Sequence, residues 1–299
     1  MSKFTIITNI TFMLILISCA SGGKNRSAKV DLDEVSNADF KKDQAVPYKA
    51  GEDYFKKVDS RYSDALNDET IQRVDKFGGD VELKDIVSRI IRLCYDKEFE
   101  DAEELIKKNQ EAYRSNPAFW NQVGTCYSLQ KERRKALLFY NKSLEFDTNY
   151  APALNNLGVL YRNLGEDQKA EVAFKRAIKG NNFAKTPRFN LAHLYLKYGL
   201  YNFALKELSV LERVSKNDVD VLTGLGTAYL MSGDSKRALG YFKRIDEGFY
   251  EYPYIGINAA FAHYLEGDKE RAKDILDDVD KDQLKDLKEY YQSVKERIL

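Results

Sequence analysis

The side chains able to carry chemistry are few in this 299-residue chain, and they stand far apart. Two histidines occur, His193 and His263. A helical metal site needs ligands about one turn apart, so these two cannot share one and no metal is expected. The run Asp277-Asp278-Val279-Asp280 lacks the glycine turn and ligand spacing of a calcium loop and reads as a solvated helix end. No glycine-rich loop follows a strand, so a phosphate cradle is not expected either. The remaining reactive groups are three thiols, Cys19, Cys94 and Cys126. With no nucleophile–base pair, no metal set and no cofactor motif, the expectation is a protein that is not an enzyme and carries no cofactor.

Cys19 has the clearest context. Residues 1–18 hold one early charge, Lys3, then the apolar run Phe12 to Ile17, and Ser18 precedes the cysteine. The apolar run is too short to span a bilayer and fits a secretory signal. Leu16-Ile17-Ser18-Cys19 resembles the bacterial lipobox, which implies cleavage before Cys19 and its acylation. Several acyl chains anchor a protein stably, at roughly 0.8 kcal/mol per buried CH₂. Ala20 in the next position, by resemblance to the enterobacterial sorting rule, favours the outer membrane. The expected location is thus the periplasmic face of a bacterial outer membrane.

Cys94 and Cys126 are expected as two buried thiols. An oxidising compartment would permit them to pair, yet their spacing sets them on neighbouring helices at different heights. Basic and acidic residues number 47 each, so no net charge steers the chain to nucleic acid. From residue 19 to 50 the composition is polar with no helical apolar period, a flexible tether with a span of roughly 30 Å. Tyr54, Phe55, Val58, Tyr62 and Leu66 then recur at helical spacing, and 51–82 reads as one or two N-terminal capping helices.

Beyond this point one step rules the chain. Gly165, Gly199, Gly233 and Gly267 stand 34 residues apart, as do Tyr127, Tyr161, Tyr195 and Tyr229, and Ala102, Ala136, Ala170, Ala204, Ala238 and Ala272. That period marks an array of helix-turn-helix repeats. In 151–184 the residues Leu154, Leu157, Gly158, Tyr161, Ala170, Phe174 and Ala177 resemble the tetratricopeptide repeat at its main positions. The resemblance implies an all-α fold, a right-handed α-solenoid of about six repeats over 83–286, closed by a charged C-terminal capping helix at 287–299. Gly158 and Ala170 are expected where the paired helices cross, and Gly165 in the turn between them. The match weakens at the ends: Arg89 and Ile90 replace an apolar and a small residue, and His263 replaces the tyrosine.

By the same resemblance the first helix of each repeat lines an inner groove that holds proteins or peptides. Its sixth positions read Gln122, Asn156, Asn190, Gly224 and Asn258. Such carboxamides either hydrogen-bond an extended peptide backbone, as in the asparagine ladder of the O-linked glucosamine transferase repeats, or merely solvate the groove. Early inner positions are polar (Asn121, Thr125, Asn155, Arg162). Later ones are apolar and aromatic: Phe189, Leu196, Leu230, Met231, Tyr254, Ile257, Phe261, Tyr264 and Leu265. The later row is either a partner site or a surface covered by the C-terminal helix. The chaperone-type carboxylate clamp is disfavoured, because Ala118, Thr186, Asp220 and Asn190 occupy its basic positions.

A signal lipoprotein with about six such repeats resembles the type IV pilus pilotins, which help the secretin oligomerise at the outer membrane. Similar architectures serve as adaptors for peptidoglycan hydrolases, in outer-membrane protein assembly and in gliding motility. A self-associating structural protein is the alternative from a different class.

Overall fold

A computed structural model describes residues 85–284 and 287–299. The signal, Cys19, the tether and the capping helices expected at 51–82 lie outside the described residues. Thirteen α-helices and no strand occur among those described. They form six pairs: α1 (Ile86–Tyr95) with α2 (Phe99–Asn109), α3 (Pro117–Leu129) with α4 (Arg133–Phe146), α5 (Ala151–Asn163) with α6 (Asp167–Gly180), α7 (Lys185–Lys197) with α8 (Tyr201–Val214), α9 (Val219–Met231) with α10 (Ser235–Phe242), and α11 (Pro253–Leu265) with α12 (Lys269–Asp278). The last helix is α13 (Lys288–Ile298).

The turns inside the pairs repeat one local solution. A residue with positive φ follows each first helix, and the next backbone N–H reaches back over the helix end, as from Glu166 to the Tyr161 carbonyl at 2.8 Å and from Asp234 to Tyr229 at 2.9 Å. These bonds satisfy carbonyls that a helix end otherwise leaves without a partner. Four pairs use the expected glycines, with φ between 68° and 89°. The first two use Lys97 (φ 65°) and Lys131 (φ 64°), two periods and one period before Gly165. The chain therefore keeps the 34-residue geometry where the glycine itself is missing.

The crossing point within each pair explains the small residues. A methyl group at Gly124 would stand 2.6 Å from the Tyr140 ring, and one at Gly226 would stand 2.8 Å from the Phe242 ring. Gly158 is held against Phe174 in the same way. Where the small residue is Ala192 or Ala260, the position 16 residues on is Leu208 or Leu276, not an aromatic ring. In the first pair both positions are isoleucine, Ile90 and Ile106, and both are buried. Volume is thus shared between the two helices, so the departure at Ile90 is compensated rather than disruptive.

Three features depart from the regular plan. α10 stops at Phe242, and a 3₁₀ turn, Glu247–Glu251, completes the fifth pair. There the Asp246 carboxylate accepts from the Gly248 N–H at 2.9 Å, and the buried Tyr250 hydroxyl donates to the Phe242 carbonyl at 2.9 Å. The first pair is mounted differently from the others. Elsewhere the second helix of a pair lies along the first helix of the next, but α2 barely touches α3 while α1 lies directly on it. Segment 110–116 fills that junction, with Tyr113 stacked on Phe119 at 5.5 Å and the Trp120 Nε1–H donating to the Arg114 carbonyl at 2.7 Å.

The third departure corrects the expectation of two separate thiols. Cys94 and Cys126 form a disulfide joining α1 to α3, with Cα atoms 5.3 Å apart. The different heights expected for them presumed that the first pair stacks like the others; its direct α1–α3 contact brings the two positions level.

Candidate functional site

Consecutive first helices touch one another along the stack, whereas consecutive second helices have no contact of similar extent among the described residues. The first helices therefore lie on the tighter, inner side. That face changes character along its length.

Its early part is a polar network rather than a display of free amides. The Asn156 Nδ2 donates to Asn121 Oδ1 at 2.9 Å and to Thr125 Oγ1 at 3.2 Å, and Asn190 Nδ2 donates to Asn155 Oδ1 at 2.9 Å. Asn155 in turn faces Asn156 Oδ1 at 3.4 Å, and the Tyr140 hydroxyl reaches Thr125 from the paired helix at 3.4 Å. Burial pushes the Tyr140 phenol up to about 12, so it remains a donor. Asn121, Gln122, Asn155, Asn156 and Asn190 are all buried. The amides of Asn156 and Asn190 thus join α3, α5 and α7 to one another, and in this conformation they are not turned to a peptide. Gln122 Oε1 is buried without a hydrogen-bond partner.

The later part keeps apolar surface in reach of solvent. Phe189, Tyr254, Phe261 and Tyr264 are half-buried, while Met231 and Leu265 are 37% and 46% exposed. Leu230 is buried, and Ile257 is fully enclosed in the core of the last two pairs, so it lines no surface. Phe189 packs on His193 with ring centroids 4.1 Å apart. Burial, and then the nearby Arg162 guanidinium, hold His193 down at about 3, so the ring is neutral at physiological pH. His263 takes the tyrosine position as expected; it is buried, with Nδ1 3.1 Å from the Asp268 carboxylate.

At the far end α13 packs on both α11 and α12, where the first helix of a further pair would sit. Its Tyr290 hydroxyl donates to Asn258 Oδ1 at 2.8 Å, and Arg297 lies 5.5 Å from the Phe261 ring. The Asn258 amide N–H groups go to the Tyr254 carbonyl at 2.8 Å and Thr227 Oγ1 at 3.2 Å. The cap therefore covers part of the late inner face, including Asn258 and one side of Phe261. Met231 and Leu265 remain accessible. Neither Tyr290 nor Arg297 was identifiable from the repeat pattern, because the cap stands outside the period.

A second exposed apolar group lies at the turn of the fourth pair. Tyr198, Leu200 and Phe203 are 57%, 43% and 57% exposed. At the Leu200 position the other pairs carry Glu98, Glu132, Glu166, Asp234 and Asp268. Where Phe203 stands, Lys135, Lys169 and Arg237 lie over Tyr127, Tyr161 and Tyr229 at 5.0, 5.5 and 4.3 Å. In the fourth pair Phe203 contacts Tyr195 instead, with ring centroids 5.4 Å apart. Aligning the turns at 34 residues reveals the group; attention to the inner positions alone passes over it.

Among family models, the tetratricopeptide repeat matches residues 139–172, one full period set half a repeat out of frame with the helix pairs. Among curated proteins, anaphase-promoting complex subunit 3 of Schizosaccharomyces pombe is 26% identical over 129 residues, 43% of this chain and 19% of its own. The uncharacterized protein ycf37 of Porphyra purpurea is 33% identical over 70 residues, 22% of this chain and 40% of its own. The chain thus spans less than half the length of either relative. Among solved structures, Pseudomonas aeruginosa pilF superimposes with a TM-score of 0.60 at 17% identity, covering 71% of this chain and 97% of that one. PilW, a type IV pilus biogenesis factor, gives 0.54 at 15% identity over 72% and 97%. YrrB, described as a TPR protein with an unusual peptide-binding site, gives 0.53 at 20% identity over 64% and 97%. The described residues carry the tetratricopeptide-repeat fold, an all-α solenoid of six helix pairs with a terminal cap.

Proposed function

We propose that the protein is a lipid-anchored scaffold on the periplasmic face of the bacterial outer membrane, whose inner face holds partner proteins or peptides during assembly of a cell-envelope machine. Type IV pilus secretin assembly is the process that fits best. The observation carrying the scaffold reading is the exposed apolar surface at Met231 and Leu265, together with half-buried Phe189, Tyr254 and Tyr264, on the first helices that form the inner side of the stack. Apolar groups left at the surface in a row are typical of a site that a partner covers. The lipobox at Cys19 supports the anchor, and the buried Cys94–Cys126 disulfide supports an oxidising compartment. The fold shared with PilW supports the pilus assignment over adaptor roles for peptidoglycan enzymes, outer-membrane protein assembly or gliding motility.

Photo-crosslinking residues placed at Met231 and Leu265 in cells test the scaffold reading, with Val172 on the second helix α6 as control. Adducts at the first two and none at the third are expected. Equal adducts at all three, or none, would overturn inner-face binding. Secretin multimers retained in a deletion strain would remove the pilus assignment and leave the scaffold standing. Self-association is a second reading, favoured by Tyr198, Leu200 and Phe203 at the edge of the fourth pair. Light scattering of the chain at high concentration decides it; a monomer unaffected by Leu200→Glu with Phe203→Lys ends that reading.

A further inference from the structure

The first helix pair lacks much of what holds the others in the stack. Its second helix does not form the junction with the next pair, as every later second helix does. Positions that bury Phe119, Val123 and Cys126 on α3, or Val221, Leu225 and Ala228 on α9, carry Asp85, Arg89 and Arg92 on α1, all exposed. Lys97 occupies the left-handed turn position without the conformational freedom of glycine, a feature shared only with Lys131 of the second pair among the described residues. What α1 does have is one face lying directly on α3, with the buried Cys94–Cys126 disulfide crossing it.

We propose that the Cys94–Cys126 disulfide is an oxidation-operated lock that docks the first helix pair, so the inner face gains its N-terminal end only in the oxidised chain. The burial of both sulfurs dictates the order of events. Cys94 is 1% exposed and Cys126 2%, and thiol–disulfide exchange needs a third sulfur to approach in line. Exchange therefore happens while α1 is away from α3. A disulfide-form oxidant, R–S–S–R′, is attacked by one cysteine thiolate, giving a mixed disulfide and releasing RS⁻. The second cysteine thiolate then displaces R′S⁻ and closes the Cys94–Cys126 bond. The two thiol protons end on RSH and R′SH, and the oxidant takes up two electrons. Once α1 has closed, the bond is shielded from reductant. The lock is thus set during folding and persists afterwards.

Hydrogen exchange on the full chain tests this, comparing the oxidised protein with Cys94→Ala/Cys126→Ala. Amides of 86–109 are expected to exchange at least tenfold faster in the variant, with 119–298 unchanged. Equal protection of 86–109 would overturn the proposal, as would loss of protection throughout the stack. Because alanine also removes packing, the wild-type chain is reduced in urea, returned to buffer without oxidant, and treated with a maleimide. Rapid labelling of the Cys94 and Cys126 peptides is expected, and incubation with oxidised glutathione before the maleimide should abolish the labelling and restore protection of 86–109. Reduced thiols that stay unlabelled would show that the pair docks without the bond and would sink the idea.

Discussion

The crossing of α5 and α6 allows a quantitative test of how the repeat shares volume. Replacing Gly158 by alanine puts a methyl group against the Phe174 ring, 2.6 Å from Cδ1 and 2.9 Å from Cζ. Ordinary contact begins near 3.4 Å, and Phe174 is fully enclosed, so the ring cannot swing aside. Overpacking of this kind costs about 1–3 kcal/mol, and contact with several ring atoms at once puts it near the upper end. Alanine recovers about 0.8–1 kcal/mol of helix propensity over glycine, leaving a net loss of about 2 kcal/mol. Phe174→Leu alone leaves a partly filled hole; scaled from the 3–5 kcal/mol of a full truncation to alanine, it costs about 1–2 kcal/mol. Together the two changes reproduce the Ala192/Leu208 and Ala260/Leu276 solution already present elsewhere in the stack. The double variant should therefore lose less than about 1 kcal/mol, a coupling of about 2 kcal/mol or more. Urea unfolding followed by circular dichroism gives the three stabilities, and hydrogen exchange of α5 and α6 gives the local value in a stack that need not unfold as one unit. If the single losses simply add, volume sharing at this crossing is refuted.

Lys131→Gly should stabilise the chain by about 0.5–1 kcal/mol, since relief of a left-handed residue, about 1–2 kcal/mol, outweighs the added freedom of glycine when unfolded; an unchanged or lower melting point would contradict the strained turn. Asn156→Ala removes the donor shared by Asn121 and Thr125 and leaves buried acceptors unmet, a loss of about 1–3 kcal/mol in urea unfolding. No loss would mean that water replaces the amide freely. For pH, burial holds both histidines below the ordinary value, to about 3 for His193. The unfolded chain then binds more protons as pH falls below about 6.5, so stability is full above that value and declines towards about pH 3. His193→Gln should flatten this decline in melting experiments between pH 7 and 4, and an identical slope would show that the ring is not held neutral.

Much of this architecture was open to reading from residue types alone. The expected repeat frame, 117–150 through 253–286, falls on the helix pairs because the packing positions recur with the period itself. Pro117, Pro152, Pro187 and Pro253 lie within the first three residues of α3, α5, α7 and α11, where a missing N–H costs nothing. The inner face was less legible. Asn156 and Ile257 occupy inward positions by count, yet one is spent on neighbouring helices and the other is fully enclosed. Counting along a helix says which way a side chain points, and it does not say how closely the next helix approaches.

By itself the sequence determined the period, the helix pairs, the small residues at the crossings and the change from polar to aromatic inner positions, since all of these follow from local geometry repeated every 34 residues. Only the tertiary structure decided that Cys94 meets Cys126, that α13 covers Asn258 and part of Phe261, and that the early asparagines bond one another. The reason is physical: each of these depends on the distance and angle between helices of different pairs. Those junctions are set by residues such as Tyr113 and Tyr290, which no repeat position predicts.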